Sequence, residues 1–210
     1  MRAISSSKRR EFVILFIIFL VISETTVYMS ITPLPGEQFL ELYVLGVNRS
    51  VGGYYPHEDP NIRIGDSVHW YIKLKNSMNT VQLVAIRVKL GNQSTLSPDI
   101  LQATSSPAPT VVEFKQCITN NETWELPFNW QITNATFTEG STRILEVKIN
   151  NQTYPVPSIS AIKGYNFRLI FELWTWNIES NTFEYGWSLQ TERRTAWLQV
   201  WFNMTMTTIS

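Results

Sequence analysis

Apolar and polar residues alternate with a period of two along most of the chain beyond residue 36. Successive side chains of a β-strand point to opposite faces, so this period predicts strands with one buried face. Turn-forming pairs such as Gly52-Gly53, Gly91-Asn92 and Asn150-Asn151 separate the runs. The clearest runs are QFLELYVLG, DSVHWYIKLKN, VQLVAIRVKLGN, RILEVKIN, GYNFRLIFELWTW, TFEYGWSLQ and AWLQVWFNMT. The pattern predicts an all-β domain over residues 37–210, an antiparallel β-sandwich of about eight to nine strands.

One long stretch interrupts the alternation. Residues 92–110 read NQSTLSPDILQATSSPAPT. This stretch is rich in Pro, Ser and Thr and shows neither the strand period of two nor the helical period of about 3.6. Such composition is typical of a loop. We therefore predict a surface loop between two strands here.

The N-terminal segment has the pattern of an export signal. A basic flank, residues 1–11, precedes the unbroken apolar run FVILFIIFLVI at 12–22. A signal peptide over residues 1–23 would end at the small residue Ser23. Alternatively, an uncleaved signal-anchor helix over 12–31 would be about 30 Å long, enough to cross a bilayer. We favour the anchor, followed by a short linker at 32–36.

Both interpretations of the N-terminus give the same orientation. The Lys/Arg-rich end stays inside and the β domain lies outside. The predicted location is therefore the cell membrane, with a single-pass anchor and the C-terminal domain outside.

Composition supports a folded core and argues against a nucleic-acid partner. The chain is 44% hydrophobic and 16% charged, and its formal net charge is zero. This is too apolar for a disordered chain, and no basic patch stands out. Cys117 is the only cysteine, so an internal disulfide is impossible and the domain must rely on its core.

Six N-x-Ser/Thr sequons are present, which fits an exported protein. They are Asn48, Asn92, Asn121, Asn134, Asn151 and Asn203. The alternative is a polar, Asn/Thr-rich surface without glycans.

Several longer stretches resemble an uncharacterised archaeal family, the domain-of-unknown-function family numbered 1616. The similar stretches are LELYVLG, WYIKLKNSMNTVQLVAIRVKLGN, NETWELPFNW, RLIFELWTWNIESNTFEYGW and AWLQVWFNMT. The stretch IRIGDSVHWYIKLKN also resembles the second-strand region of immunoglobulin-like adhesion modules. The resemblance implies a membrane-tethered, outward-facing immunoglobulin-like β domain, and it implies no reaction. This chain differs from the multi-span members of that family in having a single apolar segment.

Two strands near the C-terminus carry tryptophan opposite their predicted core rows. The core row of 165–177 runs over odd positions from Tyr165 to Leu173, and that of 195–205 over even positions. If the two strands are neighbours, their other faces form one aromatic surface, and exposed aromatic patches mark binding sites. The candidate interaction face is Trp174, Trp176, Trp197, Trp201, Arg168, Glu172 and Gln199. The alternative is that another segment, such as 92–110, covers this face.

The sequence gives little support for a metal or cofactor site. His57, Glu58 and Asp59 are consecutive in a Pro-bracketed turn and cannot easily converge on one ion. A blue-copper site would use His57, His69 and Cys117, but no His or Met follows Cys117 within a loop's reach. We therefore expect no metal and no cofactor.

Catalysis is not expected either. The chain has no G-x-S-x-G, H-E-x-x-H or P-loop motif. Glu122 and Glu125 are the nearest candidates for paired glycosidase carboxylates, but their segment equally resembles a turn leading into a strand.

The sequence therefore favours a non-catalytic structural or protein-interaction module at the cell surface. Two alternatives remain. One is a carbohydrate-binding module that uses the candidate interaction face. The other is an accessory subunit of a membrane complex, docked through the same face.

Overall fold

The computed structural model describes residues 6–31, 37–189 and 191–206. Contacts divide the chain into two units, Met1–Glu37 and Gln38–Ser210. The first unit contains the helix α1 (Ser6–Ile31), and the second contains the β domain. The predicted linker at 32–36 lies outside the described residues.

The helix α1 includes the predicted segment 12–31 and begins earlier, within the basic flank. In the parts of the chain that the structure describes, no helix combines the length and apolar character needed to cross a membrane.

The β domain contains thirteen strands within the described residues, more than the eight or nine predicted, and a short 3-10 helix at Pro56–Glu58. The strands are β1 (Leu40–Leu45), β2 (Asn61–Ile62), β3 (Val68–Asn76), β4 (Gln82–Asn92), β5 (Thr110–Ile118), β6 (Thr123–Thr138), β7 (Ser141–Ile149), β8 (Gln152–Ile162), β9 (Phe167–Asn177), β10 (Thr182–Tyr185), β11 (Trp187–Leu189), β12 (Glu192–Arg194) and β13 (Trp197–Met204).

Two sheets pack face to face. The first sheet has the order β1-β3-β6-β7-β8, and the second has the order β2-β13-β9-β4-β5, with β10 paired to β9. The strand pairs are antiparallel except for β13 with β2. Consecutive strands β3 and β4 lie in different sheets, as do β5 and β6. These crossovers produce the Greek-key connectivity of an immunoglobulin-like sandwich.

Aromatic side chains from both sheets fill the space between them. Trp70 of β3 lies against Phe128 and Trp130 of β6, with ring centroids 6.2 and 5.2 Å apart. Phe171 of the second sheet meets Phe128 at 5.2 Å. Burying each of these side chains contributes about 1.5–3 kcal/mol, so this cluster stabilises a domain that has no disulfide.

The extra strands are those that alternation does not reveal. Strand β8 contains Pro155 and Pro157, which interrupt a ladder and are tolerated because β8 is an edge strand. The predicted strand TFEYGWSLQ is instead broken into β10 and β11 at Gly186, whose φ is +74°. A Cβ there would lie 2.1 Å from the backbone oxygen of Arg194, so only glycine fits.

Two apolar residues of the alternating runs, Leu145 and Tyr165, lie outside the buried core. A register shift between Ile144 and Glu146 buries Ile144 and leaves Leu145 only half-buried. Tyr165 is 54% exposed because β9 begins at Phe167, after a turn in which Asn166 has positive φ.

Candidate interaction face

The structure places the two tryptophan-bearing strands side by side. Strand β13 pairs with β9 so that Trp197 lies opposite Glu172, Gln199 opposite Ile170, and Trp201 opposite Arg168. Their outward side chains therefore share the outer face of the second sheet, the face that points away from the core.

Two members of the predicted face are not accessible. Arg168 is 3% exposed and Glu172 is fully buried. The segment 93–109, between β4 and β5, lies over both side chains and supplies their hydrogen-bond partners. We call this segment the strap. It corresponds to the loop that the sequence suggested as a cover.

Glu172 forms a buried ion pair beneath the strap. Its Oε2 lies 2.9 Å from Nζ of Lys89 on β4, and both side chains are almost completely buried. The backbone N–H of Ser106 donates to Glu172 Oε1 at 2.7 Å, and Lys89 Nζ donates to the Ser106 carbonyl oxygen at 2.6 Å. Trp174 Nε1 also donates to Glu172 Oε2, at 3.1 Å. Partners on both charges compensate the cost of removing them from water.

Arg168 anchors the other half of the strap. Its guanidinium donates to Ser97 Oγ at 2.8 Å, and also to the Thr95 carbonyl oxygen and Gln199 Oε1. Burial lowers the pKa of Arg168. Arg168 and Glu172 thus hold a loop in place and are unavailable to a partner.

The four tryptophans have different surroundings. Trp174 is half-buried, and the Arg87 guanidinium stacks over it at 3.7 Å. Trp201 is 37% exposed with Arg168 4.8 Å from its ring centroid, and Trp197 is half-buried. Trp176 packs edge-on against Phe183 and borders an open cleft.

This cleft, which we call the β9–β10 cleft, has a volume of about 830 Å³. It lies among the β3–β4 turn, β5, β9–β10 and the β11–β12 hairpin. Three apolar side chains along it are exposed: Val81 by 60%, Leu83 by 40% and Ile178 by 85%. Arg193 and Glu184 form an ion pair of 2.6 Å in its wall. Its size falls within the range of ligand pockets in proteins.

Sequence reasoning missed this cleft. Val81, Leu83 and Ile178 do carry a signal, because apolar side chains at or beside turns have no core to enter. Their convergence depends on two turns that are far apart in sequence.

The residues considered for metal binding do not come together. Among the described residues, no group of three or more His, Cys, Asp or Glu side chains could hold an ion. His69 lies on β3 of the first sheet and Cys117 on β5 of the second. His57 and Glu58 occupy a turn with positive φ at both residues, and Asp59 bonds to Asn61.

The two carboxylates considered for catalysis have other partners. Glu122 accepts hydrogen bonds from the backbone N–H and the hydroxyl of Thr119, at 2.7 and 2.8 Å. Glu125 lies between Arg49 and Lys73, at 3.0 Å from each. These interactions lower the pKa of both carboxyl groups.

The six sequons differ in accessibility. Four asparagines are exposed: Asn48, Asn121, Asn134 and Asn151. The side-chain nitrogen of Asn92 donates to the Ser160 carbonyl oxygen at 2.7 Å, and that of Asn203 to Asn61 Oδ1 at 3.0 Å. Both of these asparagines are half-buried.

Comparisons with solved structures found distant structural neighbours. One is the CARDB domain of a Pyrococcus furiosus protein, solved in complex with di-metal ions, with 11% identity over 81% of this chain and 96% of that chain, and a TM-score of 0.38. Spo0M, a sporulation control protein from Bacillus subtilis, has 8% identity over 79% and 49%, and a TM-score of 0.34. The C-terminal domain of Wzt has 6% identity over 82% and 80%, and a TM-score of 0.32.

No family model and no curated protein matches the chain. That search therefore gives no support to the resemblance to family 1616.

Proposed function

We propose that this protein is an exported, non-catalytic interaction module that binds a protein partner in the β9–β10 cleft. The observation that carries this proposal is the set of exposed apolar side chains, Val81, Leu83 and Ile178, around a cleft bordered by Trp176. Apolar groups with an aromatic anchor in a concave site are typical of interaction hot spots.

The chemistry of the cleft indicates an apolar partner segment with a basic neighbour. Glu184 is already paired with Arg193, whereas the Glu179 carboxylate has no partner among the described residues. A partner side chain inserted beside Trp176 would bury Leu83 and Ile178. A lysine or arginine next to it would meet Glu179 at the rim.

Carbohydrate binding by the candidate interaction face, the first alternative, is less well supported. A sugar on the candidate interaction face would need hydrogen bonds from Arg168, Glu172 and Gln199. The strap already bonds Arg168 and Glu172, and Arg168 already bonds Gln199. Trp176 and Trp201 are left without those partners. The accessory-subunit alternative is compatible with the cleft and predicts co-purification with membrane proteins.

Cys117 provides a direct test, because it lines the cleft and is the only cysteine. A photoreactive maleimide on Cys117 should crosslink the full chain to one partner after mild detergent extraction. Ile178→Asp should abolish the adduct, because it puts a charge in the apolar contact. The matched control is Ile162→Asp, at an isoleucine that is 78% exposed outside the cleft.

A second label position excludes random capture. With Cys117→Ser and Thr136→Cys, the same reagent sits on β6 of the first sheet. If the same adducts form from both positions, or survive Ile178→Asp, the cleft is not the partner site.

We further propose that the N-terminal segment exports the domain, either as a cleaved signal or as an anchor. The support is the basic flank followed by the apolar run 12–22. N-terminal sequencing of protein from its natural membrane decides between the two, since cleavage would give a chain beginning near residue 24. A full-length chain in the interior fraction would refute export.

On an exported domain, glycans are expected at the four exposed sequons. At Asn92 and Asn203 a sugar would compete with hydrogen bonds that the side-chain nitrogens already donate. Peptide mass spectrometry of folded, secreted protein should find occupancy at Asn48, Asn121, Asn134 or Asn151. Full occupancy at Asn203 would contradict this assignment.

A further inference from the structure

Polar side chains on three adjacent strands form a cleft on the outer face of the first sheet, the face that points away from the second sheet. His69 of β3 is in register with Asn129 of β6, and Gln131 of β6 with Lys148 of β7. These four side chains, with Ser67 and Asn151, surround a volume of about 150 Å³. We call it the Lys148 cleft.

Hydrogen bonds within the Lys148 cleft engage the amide oxygens of Asn129 and Gln131. His69 Nδ1 lies 2.7 Å from Asn129 Oδ1, so this nitrogen carries the proton and donates to the amide oxygen. Ser67 Oγ donates to Gln131 Oε1 at 3.2 Å. The groups left for a ligand include three sets of donors, the amide N–H groups of Asn129 and Gln131 and the Lys148 ammonium, and also the side-chain amide of Asn151.

Lys148 is half-buried and has no carboxylate within 4.0 Å among the described residues. A partly desolvated cation beside unused N–H donors matches an oxyanion, because charge-assisted hydrogen bonds are the strongest of their kind. In the tautomer that carries its proton on Nδ1, His69 Nε2 is an acceptor, so it suits a hydroxyl group. An anionic group and a hydroxyl are thus matched within one cleft.

An apolar cleft of about 270 Å³ adjoins the Lys148 cleft and shares Ser67 and His69 with it. Tyr54 and Tyr55 line it, with Val47 and Pro56. Both tyrosine hydroxyls are engaged elsewhere, with the carbonyl oxygens of Val44 and Trp201. Their rings pack edge-on against Trp70, which fixes an aromatic wall.

We propose that the two clefts together bind an acidic saccharide, a hexuronate unit. Its carboxylate would lie at Lys148, a ring hydroxyl would donate to His69 Nε2, and the apolar face of the sugar ring would lie against the tyrosine wall. Aromatic rings with amides beside them recognise sugars in this way because the ring has an apolar face and a polar edge. This site is independent of the β9–β10 cleft, so failure of one proposal leaves the other standing.

Calorimetry on the full chain in mild detergent tests the assignment. The protein comes from a host without N-glycosylation, because a glycan on Asn151 would compete with the ligand for the Lys148 cleft. The probes are trigalacturonate, neutral maltotriose and inorganic sulfate. Saturable binding of trigalacturonate, with none for maltotriose and weaker binding for sulfate, supports the proposal. Equal affinity for sulfate and trigalacturonate would refute the sugar component, and absence of trigalacturonate binding would refute the site.

Two variants and a matched control locate the binding. Lys148→Met should weaken trigalacturonate binding by about tenfold or more, the scale of one charge-assisted hydrogen bond. Lys75→Met is the control, because Lys75 is also half-buried and lies on β3 of the same sheet, outside both clefts. His69→Ala should weaken trigalacturonate binding and leave sulfate binding unchanged. Equal losses for Lys148→Met and Lys75→Met, with unchanged circular dichroism, would overturn the location.

Discussion

The two outer faces of the sandwich carry the same kinds of side chain in opposite environments. On the first sheet, Glu125 lies between Arg49 and Lys73, with side chains that are 22–56% exposed. On the second sheet, Glu172 pairs with Lys89 beneath the strap, with side chains that are 0 and 5% exposed. Water screens the first set and is excluded from the second. The buried ion pair of the second sheet should therefore affect stability strongly when one partner is removed, whereas the exposed pairs of the first sheet should affect it little.

The exposed sequons follow the same division. Asn134 and Asn151 lie on or beside strands of the first sheet, whereas no exposed sequon among the described residues lies on a strand of the second. A glycan-compatible face and a strapped face thus lie on opposite sides of one core. Four predictions test this contrast.

The largest effect is expected from Glu172→Ala. It leaves the buried Lys89 ammonium without its opposite charge, with only the Ser106 carbonyl oxygen as a partner, which should lower the free energy of unfolding by about 3–5 kcal/mol. Glu125→Ala, the matched change on the first sheet, should cost about 1 kcal/mol or less. Urea unfolding of the full chain measures both. Similar costs for the two variants would mean that the strap does not exclude water.

A double variant separates the charge from the fold. Lys89→Met with Glu172→Leu removes both buried charges and should recover most of the stability lost in Glu172→Ala. If the double variant is as unstable as the single one, the contact with Ser106 matters more than the ion pair.

The next largest effect is expected from Arg168→Met. The change removes the bonds to Ser97, the Thr95 carbonyl and Gln199, and should cost about 1–3 kcal/mol. It should also free the strap, so limited proteolysis should cleave within 93–109 before the strands. Arg143→Met, at an exposed arginine on β7, should leave the cleavage pattern unchanged. Equal protection of the strap in both variants would contradict its anchoring by Arg168.

How far the sequence predicted these faces depends on the range of the interactions. Alternation predicted most core rows, because it depends only on residues that are close in sequence, such as Val68, Trp70 and Ile72 of β3. It could not show that Ser106 caps Glu172, since those residues are 66 positions apart and the strap has no period. The pattern predicts which side of each strand the tryptophans occupy, but their exposure depends on a loop.

Breaks in the strands follow the same rule. Gly186 ends β10 because the Arg194 backbone passes close by, a contact that appears only in the folded chain. The buried Arg168 and Glu172 look like surface charges in a one-dimensional pattern. The alternating pattern therefore predicts on which face of the sheet a charged side chain lies, but it does not predict whether that side chain is buried.

A smaller effect is expected from pH. For Glu113, burial alone would raise the pKa, but hydrogen bonds from Lys115 and Arg87 outweigh it and hold the pKa of that carboxyl below its ordinary value. Glu125 has a lowered pKa through Lys73 and Arg49. A lowered folded-state pKa stabilises the fold above the unfolded-state pKa, and this stabilisation is lost as pH falls through the folded value. Glu113→Gln and Glu125→Gln should each reduce the loss of stability between about pH 5 and pH 3. Urea unfolding at both pH values measures it, and an unchanged loss in both variants would contradict the ion pairs.

The smallest effect is expected in tryptophan fluorescence. Trp201 is 37% exposed, whereas Trp174 is covered by Arg87 and bonded to Glu172. Iodide should therefore quench only a minor part of the emission, and Trp201→Phe should remove more of that part than Trp174→Phe. Stern–Volmer plots of the two variants test the difference. If Trp174→Phe removes more of the quenchable emission, the strap opens in solution and the second sheet offers the broader aromatic surface that its sequence suggests.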